Sequence, residues 1–214
     1  MTPDVSRETP PAPPEAQGVF SDALPTAEAY AGLLATDGIV RGLIGPREVP
    51  RLWDRHLLNC AVVTDAVPEG SSVCDIGSGA GLPGLVMAIR RADLTVTLVE
   101  PLLRRTTFLD EAVEALGLAN VRVVRGRADE LHGKETFDVV TSRAVAPLDR
   151  LSRWSLPLVR AGGEFLAMKG SSAEDELAAA AKVIAQERGQ VQGVVELGAE
   201  LLAPPVRVVR ILKM

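Results

Sequence analysis

Long apolar runs are missing from this chain. No stretch approaches about 18 consecutive apolar residues, so no membrane span is expected. The N-terminus lacks a basic segment followed by an apolar one, so no secretory signal is expected and the default compartment is the cytoplasm. Cysteine is scarce: Cys60 and Cys74 are the only two. Neither lies in a CxxC pair or beside a histidine at metal-ligand spacing. Both read as buried thiols in a reducing compartment. His56 and His132 are the only histidines. Their separation excludes a histidine-rich metal site and gives no support to a Ser-His-Asp triad, so no metal is expected. Lysine is also rare, with 4 Lys against 19 Arg. No internal repeat is visible.

What is present is an ordinary globular composition: 214 residues, 47% hydrophobic and 24% charged. The length fits one domain, with or without a small appendage. It buries enough surface to need no disulfide or metal staple. The net charge of −5 is uneven: residues 1–40 hold one Arg against six carboxylates, whereas residues 41–170 hold 17 basic and 16 acidic side chains. Arginine suits phosphate and base edges better than lysine does. A GC-rich genome produces the same excess, so composition permits an RNA partner without establishing one.

Residues 1–18 read as a disordered, Pro-rich tail. Residues 19–70 read as a helical extension, and residues 71–214 as the main domain. Between Pro25 and Ile44 two short helices are expected, interrupted at Asp37-Gly38. After Pro50, Leu52, Trp53, Leu57, Cys60, Ala61 and Thr64 recur at helical spacing, with Arg51, Arg55 and Asn59 on the other side. From residue 72 strands alternate with helices. This predicts an α/β fold with a mostly parallel seven-stranded sheet covered on both faces. The last two strands read as a hairpin, which puts an antiparallel C-terminal strand at the edge.

The informative segment is Asp75-Ile-Gly77-Ser-Gly79-Ala-Gly81-Leu82-Pro-Gly84, directly after a strand and before a helix. Glycines there let the backbone turn sharply and approach a ligand closely. A dinucleotide fingerprint would need its third glycine at position 82, which is Leu. The D-x-G-x-G-x-G spacing instead resembles the S-adenosyl-L-methionine loop of class I (Rossmann-like) methyltransferases. Glu100 ends the next strand, where a carboxylate can accept two hydrogen bonds from ribose hydroxyls. Ala128 and Asp129 follow the third strand. Two roles fit Asp129: accepting from an adenine amino group, or capping the turn that follows.

The Gly77 to Gly84 loop, the Ser142-Arg-Ala-Val-Ala-Pro147 segment, Met168-Lys-Gly170 and the Arg55-His56 pair together resemble the GidB/RsmG family over roughly residues 25–213. These are bacterial methyltransferases of guanine N7 in 16S ribosomal RNA. The resemblance implies cofactor contacts at Gly77, Leu82, Ala128, Asp129 and Arg143, with Gly79, Gly81 and Glu100 completing the pocket. Two departures stand out. Asn59 and Cys60 occupy positions where the family often has an acidic residue and Ser, and Asp129 stands where many members have Glu.

The chain has no Asn/Asp-Pro-Pro-Tyr/Phe segment for gripping an exocyclic amine, and no Pro-Cys nucleophile for pyrimidine C6. Guanine N7 needs neither: its lone pair carries no proton, so alignment is the main task. Arg143 is the candidate positioning residue, for cofactor, phosphate or guanine O6; an ion pair with Asp149 or Asp138 is the structural alternative. Arg51, Arg55, His56 and Lys169 are candidate RNA contacts. The alternatives are a solvated Lys169 and a His56 that packs its helix against the loop. The expected partner is 16S rRNA or a small-subunit particle, and the expected state is a monomer. Two rivals stay open: a small-molecule or protein methyltransferase on the same fold, and a non-catalytic RNA-binding or ribosome-assembly module.

Overall fold

The computed structural model describes residues 9–143 and 146–214. Its strands are β1 (Ser72–Ile76), β2 (Thr95–Glu100), β3 (Val121–Arg125), β4 (Phe137–Arg143), β5 (Val159–Lys169), β6 (Gly189–Leu197) and β7 (Val206–Lys213). They form one sheet in the order β3-β2-β1-β4-β5-β7-β6. The pairs among β1 to β5 are parallel; β7 runs antiparallel to both β5 and β6. The antiparallel C-terminal strand therefore sits one place inside the edge, and β6 is the edge. Hairpin register explains this: β7 is the more apolar strand, and only an inner position covers Val208, Val209 and Ile211, all fully buried.

Strand residues alternate between two apolar clusters. Val73, Val139, Leu166 and Val208 face one cluster; Cys74, Val140, Phe165 and Val209 face the other. The second cluster is closed by α6 (Leu148–Ser155) and α7 (Ala173–Gln186). The first is closed by α4 (Gly84–Arg90), α5 (Leu103–Ala115) and the N-terminal helices α1 (Pro14–Phe20), α2 (Leu24–Leu33) and α3 (Leu58–Val63). Both cysteines are buried and free. No described helix is long and apolar enough to cross a membrane.

Two expectations are corrected here. The disordered tail does not extend to residue 18. Pro14 starts α1, as a first-turn proline can, and Ala16 is fully buried. Trp53 Nε1 donates to the Pro10 carbonyl at 2.9 Å, and Phe20 packs edge-on against Trp53. The part of that expectation covering residues 1–8 lies outside the described residues. Nor does Asp37-Gly38 break a helix. α2 runs on through a π-helical turn, Leu34–Gly38. Gly38 is buried near Ile44 and Leu34, and a Cβ there would make only ordinary contacts, at 3.5 Å or more. The chain turns at Gly42 instead, whose φ of 64° suits glycine.

Candidate active site at the carboxyl ends of β1, β2 and β4

The glycine loop leaves β1 and enters α4. Gly77, Gly79 and Gly81 have φ of 69°, 59° and 98°, in the left-handed region. Two of them have different further duties. A Cβ at Gly79 would meet nothing nearer than the Gly77 carbonyl at 3.8 Å, so this glycine borders open space. A Cβ at Gly81 would stand 2.4 Å from Leu85 Cδ1 and 3.0 Å from the Tyr30 hydroxyl. Gly81 is thus a packing glycine, and its N–H is spent on the Ser78 carbonyl. Gly84 is another, since its Cβ would collide with Leu98 and Asp75. The loop is further held by Tyr30, whose hydroxyl donates to the Ala80 carbonyl at 2.7 Å.

Glu100 is buried at the tip of β2. Its carboxylate accepts from Gly79 N at 3.1 Å and from Leu102 N at 3.1 Å, and pairs with Arg105 at 3.4 Å. A carboxylate has about four lone-pair sites, so acceptor capacity remains for a ribose. Asp75 lies fully buried beneath the loop; Oδ2 accepts from Gly84 N at 3.0 Å, while Oδ1 has no partner among the described residues. Burial pushes its carboxyl up to about 7. Ala128 is half-buried and Asp129 exposed on a short 3₁₀ turn after β3. Glu130, not Asp129, caps that turn through the Arg127 N–H. Among the described residues Asp129 makes only an exposed 3.4 Å pair with Arg127, which leaves its carboxylate accessible.

Arg143 ends β4 and reaches towards the N-terminal helices. Nη2 contacts His56 Nδ1 at 2.8 Å and donates to the Arg55 carbonyl at 3.2 Å, and Nη1 lies 3.5 Å from Cys60 Sγ. Among the described residues it pairs with neither Asp138 nor Asp149; Asp138 is taken by Ser72 and Arg160. Beyond Arg143 opens a cleft of about 1280 Å³, bounded by α3, the ends of β4 and β5 and the β6–β7 loop. Arg51, Arg55 and Asn59 line one wall, and Leu202 and Pro205 line another. The glycine loop does not line it, whereas Arg143 does.

The model of GidB, rRNA small subunit methyltransferase G, matches residues 23–203. The chain belongs to this family. Among its relatives, the ribosomal RNA small subunit methyltransferase G of Nocardioides is 61% identical over 97% of this chain and 84% of its own. That of Streptomyces coelicolor is 56% identical over 95% and 86%. Among solved structures, TYW2 of M. jannaschii in complex with AdoMet aligns with a TM-score of 0.60 at 14% identity, covering 76% of this chain and 78% of that one. The B. subtilis tRNA methyltransferase TrmK aligns at 0.57 and 14%, covering 75% and 66%. These two establish the fold alone, that of class I methyltransferases.

Within this GidB-family site, the structure gathers Gly77, Gly79, Gly81, Leu82, Glu100 and Arg143 at the carboxyl end of the sheet, with Ala128 and Asp129 on the turn after β3. Two of the expected RNA contacts are corrected. Lys169 lines the cleft but is not a free cation: its side chain is 6% exposed, and Nζ is held by Glu176 at 2.7 Å and the Ala146 carbonyl at 2.8 Å. His56 faces inward, 7% exposed. Helix geometry explains this, because residues four apart share a face. His56 falls with Leu52 and Cys60, and Arg55 with Arg51 and Asn59, so only one of the adjacent pair reaches the cleft. A π-helical turn, Leu52–Leu57, carries both residues; such turns often mark functional sites. Of the Ser142 to Pro147 segment, Ala144 and Val145 lie outside the described residues. Sequence reasoning missed Tyr30 and Glu48. The lone tyrosine of the chain, set in an apolar helix, is a usable signal, since a buried Tyr hydroxyl usually finds a partner. Glu48 gave none, because a turn through Pro50 separates it from His56.

Proposed function

We propose that this small-subunit rRNA methyltransferase methylates N7 of a guanine in 16S rRNA. S-adenosyl-L-methionine supplies a methyl group on a sulfonium, ready for transfer to a lone pair. The residues present fit this cofactor. Gly79 borders open space, Glu100 keeps about one lone-pair site for a ribose hydroxyl beside its three contacts, and Asp129 offers an acceptor to an adenine amino group. Leu82 and Ala128 supply apolar contact.

One observation carries the choice of target atom: the nitrogen bases beside Arg143 are engaged, and the acceptors left on the cleft wall are the carboxylates of Glu15, Asp54, Glu176 and Glu196. His56 Nδ1 is engaged by Arg143 and Nε2 by Glu48 at 2.9 Å, and the Lys169 ammonium is held by Glu176. Asp75 keeps a free oxygen, but buried beneath the loop and away from the cleft. A hydroxyl or amine target would need a base within hydrogen-bond reach. Guanine N7 presents a bare in-plane lone pair and needs none. The protein's task is then to hold the base within about 3–3.5 Å of the methyl carbon in the right orientation. Arg143, which lines the cleft, is placed to contact guanine O6 or a phosphate through one N–H, leaving N7 free. Arg51 and Arg55 meet the RNA backbone at the cleft wall. The substrate is 16S rRNA, naked or in a small-subunit particle.

Nucleoside mass spectrometry of 16S rRNA from cells with and without the protein tests this. One 7-methylguanosine is expected to disappear with the protein and return on complementation. Unchanged 7-methylguanosine, or loss of a different methylated nucleoside, would overturn the N7 assignment.

A further inference from the structure

We infer that Glu48 and His56 are positioning residues for Arg143, holding its guanidinium in the orientation that methyl transfer requires. The inference rests on the function proposed above. A guanidinium has five N–H donors and no lone pair. The 2.8 Å contact between Arg143 Nη2 and His56 Nδ1 therefore requires a bare Nδ1. The neutral ring then carries its proton on Nε2, which donates to Glu48 Oε2 at 2.9 Å. The other oxygen of Glu48 accepts from Arg55 Nη1 at 3.1 Å. One carboxylate thus fixes both the tautomer of His56 and the side chain of the neighbouring cleft arginine. All three contacts of Arg143 come from the segment Arg55 to Cys60. The N-terminal helices, not the sheet that carries Arg143, aim its side chain.

Protonation of His56 would break this arrangement. A second ring N–H would point at the guanidinium, and two positive charges would face each other. Burial and Arg143 both hold the ring below its ordinary 6.5, and Glu48 opposes them. The charged groups facing the ring are Arg143 from β4, Glu48 from the preceding turn and Arg55 from its own helix. Behind Arg143 lie Cys60, Tyr30 and Asp75. The transfer rate is expected to fall at acid pH as His56 takes up its proton.

The test uses full-length enzyme and small-subunit rRNA, with single-turnover methyl transfer followed across pH. His56→Ala removes the acceptor and is expected to lose roughly ten- to hundredfold in rate, the cost of a misplaced catalytic group. His56→Asn puts an amide oxygen where Nδ1 stood. It is expected to restore most of the rate and to abolish the acid limb, because it cannot titrate. Glu48→Gln keeps an acceptor for Nε2–H but loses the charge, so the acid limb is expected to move to lower pH. With only two histidines in the chain, ¹⁵N spectra of the imidazoles give a readout independent of activity. His132→Gln assigns the signals, and His56 is expected to show a bare Nδ1 and a protonated Nε2. An inactive wild-type enzyme with that tautomer would overturn the proposed function and not the geometry. An active wild type with equal losses in folded His56→Ala and His56→Asn, or a protonated Nδ1 at neutral pH, would overturn this inference alone.

Discussion

The hydroxyl of Tyr30, on the second N-terminal helix, donates to the carbonyl of Ala80 in the glycine loop at 2.7 Å, fully buried. The helical extension is therefore part of the cofactor loop's support. It is fastened by a second clamp as well: Arg90 of α4 donates to the carbonyls of Val19 and Ala61 and pairs with Asp65. Together with the contacts of Arg143, these bonds make the extension the common scaffold of loop and cleft.

Tyr30→Phe leaves the Ala80 carbonyl buried without its donor. A loss of about 1–3 kcal/mol in unfolding free energy is expected, the cost of an unsatisfied buried polar group. Affinity for S-adenosylmethionine should fall with it. Denaturant unfolding and calorimetry of cofactor binding measure the two effects. Unchanged stability together with unchanged affinity would show that the loop holds its shape without the extension.

Gly79 and Gly81 should respond differently to substitution. Gly79→Val sends a side chain into open space at a φ of 59°. It is expected to abolish cofactor binding in a protein that still folds. Gly81→Ala places a carbon 2.4 Å from Leu85 Cδ1 and is expected to destabilise the fold itself. Melting curves separate them: the larger fall in Tm should belong to the smaller substitution. The opposite ranking would reassign Gly81 to the cofactor pocket.

Arg55 and Lys169 should separate RNA binding from stability. Arg55→Ala is expected to flatten the log–log dependence of RNA affinity on salt by about one unit, because one phosphate contact is lost. Lys169→Ala should leave that slope alone. It should lower stability, because it strips the buried partner from Glu176, which also accepts from Leu148 N at 3.0 Å. Filter binding at several salt concentrations reads the slope. A flattened slope in Lys169→Ala would restore Lys169 to the RNA interface.

Asp75 gives a pH signature. Burial raises its carboxyl from 3.8 to about 7, so the folded state keeps a proton that the unfolded chain releases. Its contribution is complete below the unfolded value and is lost as pH rises towards 7. Across that window the wild type should lose stability relative to Asp75→Asn by up to about 1.4 kcal/mol per pH unit. Above about pH 7 the difference should level off. Parallel stability curves for the two proteins between pH 5 and 7 would place the proton elsewhere.

The sequence by itself determined the order of elements and marked the glycine loop and Glu100 as the cofactor end of the proposed site. Alternating strand residues and helical spacing are local patterns, and Gly77, Gly79 and Glu100 sit at strand ends whatever packs around them. The spacing of Gly-Leu-Pro-Gly and Ser-Arg-Ala marked the family for the same reason. What it left open depended on distance along the chain. Arg143 and His56 are 87 positions apart, and Tyr30 and Ala80 are 50; no local pattern announces either contact. Lys169 looks like a free cation until α7 brings Glu176 against it. The proline run near the N-terminus looks disordered until Trp53 offers a donor to Pro10. Only the tertiary structure decided which polar groups were already partnered. That accounting is closed by burial, because a buried donor or acceptor must find its partner wherever the fold places one.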